Sequence, residues 1–224
     1  MKKPIISILL IILTYTIAFA QKDKDAAKIM HAVALKYKTY NIIKADFSFK
    51  IDDPVANMRD TQTGTVIAQP KANKFRVIIN DPTDKTGVAQ EIISDGKSQW
   101  TYVKKNKETD LSDVDHSDNN ISPAQLFTFY EHGYKYLYTG DYNIDGRVCQ
   151  SIDLSPEAAN TPFFKIRLSI DKVKKQIYSA LIFDKSGARY TYTITSFTPN
   201  VKLPENIFTY DKKEHPGVEI VDLR

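Results

Sequence analysis

Cysteine is almost absent from this sequence. Cys149 is the one thiol among 224 residues, so the chain cannot form an internal disulfide bond. A chain of this length can bury a sizeable core without one. No histidine lies near Cys149 in the sequence to lower the pKa of its thiol. We therefore interpret Cys149 as a small buried hydrophobic residue rather than a reactive group.

Strong net charge and long apolar runs are also lacking. The formal charge of +4 falls to +2 without residues 1–20, because that segment holds Lys2 and Lys3 and no acidic residue. A nearly neutral chain gives little support to a nucleic-acid partner. Beyond residue 20, no apolar run is long enough to cross a bilayer.

The N-terminus has the three parts of a secretory signal. Residues 1–3 are basic at Lys2 and Lys3, residues 5–17 are mostly apolar, and Ala18-Phe19-Ala20 has small residues where a signal peptidase cuts. We predict cleavage after Ala20. Since Gln21 has no thiol to carry a lipid, we expect residues 21–224 to form one untethered domain.

Sequence patterns typical of catalysis are missing. The four histidines do not sit in a nucleophile elbow or a zinc-binding helix, and no glycine-rich segment could cradle a phosphate. The acidic stretch 110–118 lacks the central glycine and the closing glutamate of a calcium loop. The sequence therefore predicts a protein that is not an enzyme, with no catalytic residue, cofactor or metal.

The mature chain opens with helical periodicity and continues with an alternating pattern. Residues 25–40 have an apolar helical face, formed by Ala26, Ile29, Met30, Val33, Tyr37 and Tyr40. Residues 43–51, 164–170 and 190–194 then alternate apolar and polar side chains, which indicates strands with one dry face. Further predicted strands are 64–68, 74–79, 89–94, 98–103, 107–112, 134–139, 149–154 and 177–183. The pairs Asp95-Gly96 and Asp145-Gly146 predict tight hairpins.

These patterns predict a mainly β fold with a few helices, in which an antiparallel meander curls into one large sheet or a barrel. A second helix is predicted where Ser122 supplies an N-cap, Pro123 the first position and Gln125 a capping box, with Gly133 as its end. Apolar side chains surround most of this helix, so we expect it to cover something apolar as a lid. The predicted lid residues are Leu126, Phe127, Phe129 and Tyr130.

Large apolar side chains lie on the predicted dry face of the strands. They either fill an ordinary core or line an apolar cavity, and both interpretations stay open. Two helices are few for so many strands, which favours space inside the sheet. The candidate cavity residues are Phe47, Phe49, Phe75, Val77, Trp100, Tyr102, Phe164, Ile166, Leu168 and Tyr190.

Four segments carry a family resemblance. They are residues 45–48 after the first helix, 71–75, 94–102, and Phe208 with 215–222. In this order they resemble the LolA family, whose members carry lipoproteins from the inner to the outer membrane of Gram-negative bacteria. The resemblance implies an unclosed antiparallel β-barrel of about eleven strands with a helical lid. It also implies that the cavity holds lipoprotein acyl chains.

The same resemblance implies partners and a location. The donor would be an ATP-driven inner-membrane transporter that releases lipoproteins, and the recipient an outer-membrane acceptor or the outer membrane itself. The location would be the periplasm of a Gram-negative bacterium, and we expect a monomer.

One position departs from the family pattern. Family members have an arginine followed by proline in the hairpin before the phenylalanine, where this chain has Lys71-Ala72 after Pro70. The family arginine is implicated in lid closure and cargo handover. Lys71 is the candidate for that charge, without the planar fork of donors that an arginine has.

Three other functions stay open. The chain could be an envelope lipid sensor or interaction module, a general lipid-binding protein, or a lipid-acting enzyme. A polar, titratable cluster inside the cavity would favour an enzyme, whereas an apolar lining would favour carriage.

Overall fold

The computed structural model describes residues 23–114 and 123–224. The predicted signal segment 1–20 and the predicted helix cap Ser122 lie outside the described residues. Among the helices of the described ranges, none has the length and apolar character needed to span a bilayer.

The described residues form one α-helix, twelve strands and several 3₁₀ turns. The helix, α1, spans Lys24–Lys38. The 3₁₀ turns are Pro70–Ala72, Gln125–Phe127, Phe129–Glu131, Glu205–Phe208 and Lys212–Glu214. The strands are β1 Ile43–Asp53, β2 Met58–Gln69, β3 Lys74–Asp81, β4 Asp84–Ser94, β5 Ser98–Val103, β6 Glu108–Asp113, β7 Tyr134–Ile144, β8 Arg147–Pro156, β9 Phe163–Asp171, β10 Gln176–Asp184, β11 Arg189–Pro199 and β12 Glu219–Asp222.

The twelve strands of the described chain belong to one sheet, in the order β12-β6-β5-β4-β3-β2-β1-β11-β10-β9-β8-β7. Two antiparallel meanders, β1–β6 and β7–β11, join where β1 pairs with β11. β7 and β12 are the two edges, so the sheet is not closed. The prediction of a mainly β, unclosed antiparallel barrel is confirmed.

One strand was not expected. β12 has only four residues, pairs in parallel with β6, and exposes most of its side chains. A strand without a dry face shows no alternation of apolar and polar residues, so the sequence pattern did not indicate it.

The sequence of α1 explains both its start and its position. Asp23 caps the helix, because its Oδ1 accepts hydrogen bonds from the backbone N–H groups of Asp25 and Ala26 at 2.9 and 3.1 Å. Its Oδ2 accepts a third from the N–H of Tyr138 in β7 at 2.9 Å. This last bond, followed by the cap bonds, lowers the pKa of Asp23. The cap therefore also fixes the start of α1 to an edge strand.

The apolar face of α1 packs on one surface of the sheet, which we call the inner face. Ala26, Met30, Val33 and Tyr37 are buried against it, as the helical periodicity predicts. The hydroxyl of Tyr37 accepts a hydrogen bond from the backbone N–H of Ile177 at the start of β10, at 2.9 Å. The opposite surface of the sheet is the outer face.

The predicted second helix is wrong in its form. Residues 125–131 make two 3₁₀ turns that meet at Thr128, instead of a continuous α-helix. Phenylalanine, threonine and tyrosine have lower helix propensity than leucine or alanine, and they fill positions 127–130. Burial of Leu126, Phe127 and Tyr130 decides the local backbone instead. We keep the name lid for residues 124–131.

A glycine lets one aromatic ring lie close to the sheet. Gly64 of β2 pairs with Phe47 of β1 and with Ile79 of β3. A Cβ added at Gly64 would meet the carbonyl oxygen of Ile78 and come 2.8 Å from Cζ of Phe47. The bare backbone at this position therefore makes room for the buried ring of Phe47.

We expect Gly64→Ala to destabilise the fold by about 2 kcal/mol, because the added methyl group must displace a buried ring or a strand backbone. Urea denaturation measures the change. Thr61→Ala is the matched control, since Thr61 lies on the same strand with an exposed side chain. It should alter the free energy of unfolding by at most about 0.5 kcal/mol. Equal stabilities for the two variants would contradict this account of the strand contact.

Candidate functional site

The inner face has a fully buried part and a half-buried part. On β8 and β9, Ile152, Leu154, Ile166 and Leu168 have no exposed surface. Between β11 and β4, large apolar side chains of the same face are only partly covered. We call this second group the apolar strip; its members are Phe49, Phe75, Ile79, Ile92 and Tyr190. Partly covered apolar side chains inside a sheet can contact another apolar molecule.

Stacked aromatic rings hold one end of the apolar strip in place. The ring of Phe49 lies 4.4 Å from that of Tyr192 and 6.1 Å from that of Tyr190, nearly parallel to both. Burial raises the pKa of both tyrosines. Their phenols therefore stay neutral at physiological pH, and this wall of the inner face carries no charge.

The inner face becomes polar beyond β4. The pairing register places Thr101 next to Ile92, and Asp110 next to Thr101. Glu108 lies on the same face of β6 and hydrogen-bonds Asp110, and this bond is the main cause of the raised pKa of Glu108. The apolar strip thus ends at an acidic margin.

The lid packs on the end of α1. The ring of Phe127 meets Tyr37 edge-on at 5.6 Å and Phe197 at 6.0 Å. Tyr130 is buried, yet its hydroxyl has no hydrogen-bond partner among the described residues. A buried hydroxyl without a partner costs about 1–3 kcal/mol. The closed position of the lid is therefore not fully satisfied.

A cleft of about 310 Å³ opens between the lid, the end of α1 and the turn that joins β2 to β3. Lys71 lines this cleft opposite Thr128, Glu131 and His132 of the lid and its following residue. Its Nζ lies 3.4 Å from Oδ1 of Asn41. Lys71 therefore faces the lid across the cleft, as expected of a charge that takes part in lid movement.

Trp100 and Tyr102 do not belong to the inner face, contrary to prediction. Trp100 pairs with Ile93, whereas the inner-face residue Ile92 pairs with Thr101. Both rings are covered on the outer face by the C-terminal segment, where Tyr210 stacks on Trp100 at 6.2 Å and His215 lies 4.2 Å from Tyr102. Both faces of β5 are partly covered, so aromatic content alone does not reveal which one points inward.

Phe164 is also misplaced in the prediction. A bulge at the start of β9 shifts the pairing with β10 between Phe183 and Asp184, which breaks the simple alternation there. As a result Phe164 is 53% exposed and contacts the ring of Phe183, while Phe163 is buried in the core.

The structure brings the remaining predicted cavity residues together on the inner face; they are Phe47, Phe49, Phe75, Val77, Ile166, Leu168 and Tyr190. Ile79 and Ile92 were missed. Ile79 continues the alternation of Phe75 and Val77, so that pattern could have found it. Ile92 is identified only by its pairing with Val77, which the sequence does not give.

Charged side chains fix the C-terminal segment to the outer face. Nε of Arg76 donates to Oε1 of Glu91 at 2.6 Å, and a terminal nitrogen donates to Oε2 of Glu214 at 2.8 Å. Nε2 of His215 lies 3.0 Å from the second oxygen of Glu91. Burial opposes the charge of Arg76, but the two carboxylates outweigh it and raise its pKa. The guanidinium thus supplies the positive charge among these acids.

Cys149 is buried, as its sequence context indicated, and burial raises the pKa of its thiol. A thiol with a raised pKa forms little of the reactive thiolate at neutral pH.

We expect Glu91→Gln to loosen residues 205–218 and to lower the free energy of unfolding by about 2 kcal/mol, because Arg76 loses a buried charged partner. Hydrogen exchange of these residues and urea denaturation measure both effects. Glu157→Gln removes an exposed carboxylate and serves as control. Unchanged exchange in Glu91→Gln would show that the cluster does not hold the segment.

An open sheet around one helix, with a half-covered apolar strip inside, defines the class of open β-barrels. Residues 38–211 match the family described as outer membrane lipoprotein carrier protein LolA. The match covers most of the chain, and the protein belongs to the LolA family. A comparison with curated proteins finds no match.

Solved structures share the fold at low sequence identity. An uncharacterized conserved protein from Thermus thermophilus has a TM-score of 0.59 and 15% identity, over 89% of this chain and 99% of its own. A LolA superfamily protein from Nitrosomonas europaea has a TM-score of 0.46 and 14% identity, over 83% and 98%. LprF from Mycobacterium bovis has a TM-score of 0.48 and 13% identity, over 82% and 98%.

Proposed function

We propose that this protein is a periplasmic carrier that shelters the acyl chains of lipoproteins on its inner face and moves them from the inner to the outer membrane. Membership of the LolA family, described as lipoprotein carriers, supports the class of cargo. The observation that carries the proposal is the apolar strip, which leaves Phe49, Phe75 and Tyr190 half-covered beside a lid.

The physical need for a carrier follows from the cost of exposing acyl chains to water. Each exposed methylene costs about 0.8 kcal/mol, so about forty methylenes of a lipoprotein anchor cost roughly 30 kcal/mol. Free diffusion through an aqueous compartment is then negligible. The inner face lowers this cost by exchanging one apolar environment for another.

Loading and release set opposite demands on the site. Transfer from a bilayer to an apolar strip is nearly neutral in apolar burial, so the direction needs an external driver. An ATP-driven inner-membrane transporter would supply it, and an outer-membrane acceptor or that membrane itself would take the cargo. Neutral aromatic rings with few fixed hydrogen bonds allow cargo to leave again.

The lid provides the movable cover in this proposal. Leu126, Phe127 and Phe129 would separate from α1 to admit acyl chains, and Lys71 would contribute charge to closure or handover. The unpartnered hydroxyl of Tyr130 supports a lid that is easily displaced. For delivery to the periplasm, we propose export of the chain and removal of residues 1–20.

We expect Phe49→Asp to fold but to bind triacylated lipopeptide at least about tenfold more weakly, because a carboxylate in the apolar strip would have to be desolvated by the acyl chains. Fluorescence titration with a labelled lipopeptide measures the affinity. Ser48→Asp is the matched control, since Ser48 lies next to Phe49 in β1 on the outer face.

Circular dichroism and urea denaturation establish that both variants are folded. If folded Phe49→Asp binds as tightly as Ser48→Asp, the apolar strip is not the binding surface and the proposal is wrong.

A further inference from the structure

The cleft beside the lid has an apolar floor and a polar rim. Tyr37, Tyr40 and Phe127 form the floor, and Tyr37 and Phe127 are both buried. The rim carries ionisable side chains from three separate segments of the chain, namely Lys38, Lys71, Glu131 and His132. An apolar floor under a charged rim matches the shape of an amphiphile, which has one apolar and one polar end.

The charges of the rim do not cancel. Among the residues that line the cleft, all of which the structure describes, Glu131 is the one carboxylate. Its Oε2 lies 3.8 Å from Nζ of Lys38, so Lys38 and Glu131 compensate each other. The Nζ of Lys71 lies instead 3.4 Å from the neutral amide oxygen of Asn41. The rim is therefore left with the positive charge of Lys71.

The backbone holds Lys71 firmly at this position. Pro70 begins the 3₁₀ turn Pro70–Ala72, and the N–H of Asn73 closes it by donating to the carbonyl of Pro70 at 3.2 Å. Asn73 has a φ of 53°, a left-handed conformation in which asparagine is favoured among side-chain-bearing residues. The ammonium group of Lys71 is thus presented at the rim by a short, closed turn.

We infer that this cleft binds the anionic end of an acylated ligand, a phosphate or carboxylate group, with Lys71 as the main cation and the acyl chain directed over Tyr37 and Phe127 towards the inner face. This inference rests on the proposed function and deepens it, because it adds a charge requirement to the cargo. The lipids or lipopeptides that fit best carry a negative group close to their acyl chains.

The test compares amphiphiles that share a twelve-carbon chain. Isothermal titration measures binding of dodecyl phosphate, laurate and uncharged dodecyl maltoside to the full mature protein, below their micelle concentrations. Inorganic phosphate is titrated separately, to distinguish a site for free phosphate from one for an acylated anion. The variants are Lys71→Gln, Lys71→Glu and, as control, Lys50→Gln on the exposed outer side of β1.

We expect Lys71→Gln to weaken binding of dodecyl phosphate and laurate about three- to fivefold, and Lys71→Glu about tenfold. Dodecyl maltoside should bind all variants equally, and Lys50→Gln should resemble the unaltered protein. High salt should remove the effect of Lys71. Inorganic phosphate alone should bind far more weakly than dodecyl phosphate, since it does not use the apolar floor.

Each other result overturns a defined part of the account. If anionic and uncharged amphiphiles bind alike and Lys71→Gln changes neither, the charge requirement is wrong while acyl-chain carriage stands. If inorganic phosphate binds as tightly as dodecyl phosphate, the cleft is a site for free phosphate. If no amphiphile binds the folded protein, both this inference and the proposed function fail.

Discussion

The inner face of the sheet is wider than the helix that covers it. Twelve strands at about 4.8 Å spacing make roughly 50 Å of sheet, whereas α1 is about 22 Å long and about 10 Å across. Together with the lid it fully buries the inner face at β8 and β9, but it leaves Phe49, Phe75 and Tyr190 half-covered. Water-contacting apolar surface inside an open sheet is the feature on which the proposed binding of acyl chains depends.

The outer face solves a different problem with different chemistry. Arg76, Glu91 and His215 form a buried polar cluster that holds the C-terminal segment against Trp100 and Tyr102. The same segment ends in β12, which covers the edge of β6. An uncovered strand edge invites pairing with other chains. Anchoring this segment therefore protects one edge of the open sheet without filling the inner face.

Sequence patterns predicted the strands and α1, but not which face of each strand points inward. Alternation identified Phe47 and Phe49 correctly because β1 has only one apolar face. It failed at Trp100, since a distant segment covers the outer face of β5, and at Phe164, where a bulge shifts the register by one residue. Capping signals predicted a helix at the lid, where burial of neighbouring aromatic residues favours 3₁₀ turns. Long-range pairing, which local sequence does not encode, decides these positions.

The central claim is that acyl chains of cargo lie on the inner face. The most direct measurement is mass spectrometry of adducts formed in living cells by a photoreactive phenylalanine placed at position 49 and, separately, at position 50. Phe49 lies on the inner face, and Lys50 follows it on the exposed outer side. The account predicts adducts with acylated molecules, lipoproteins among them, from position 49 and few from position 50. Equal yields from both positions, or no acylated adduct from position 49, would contradict it.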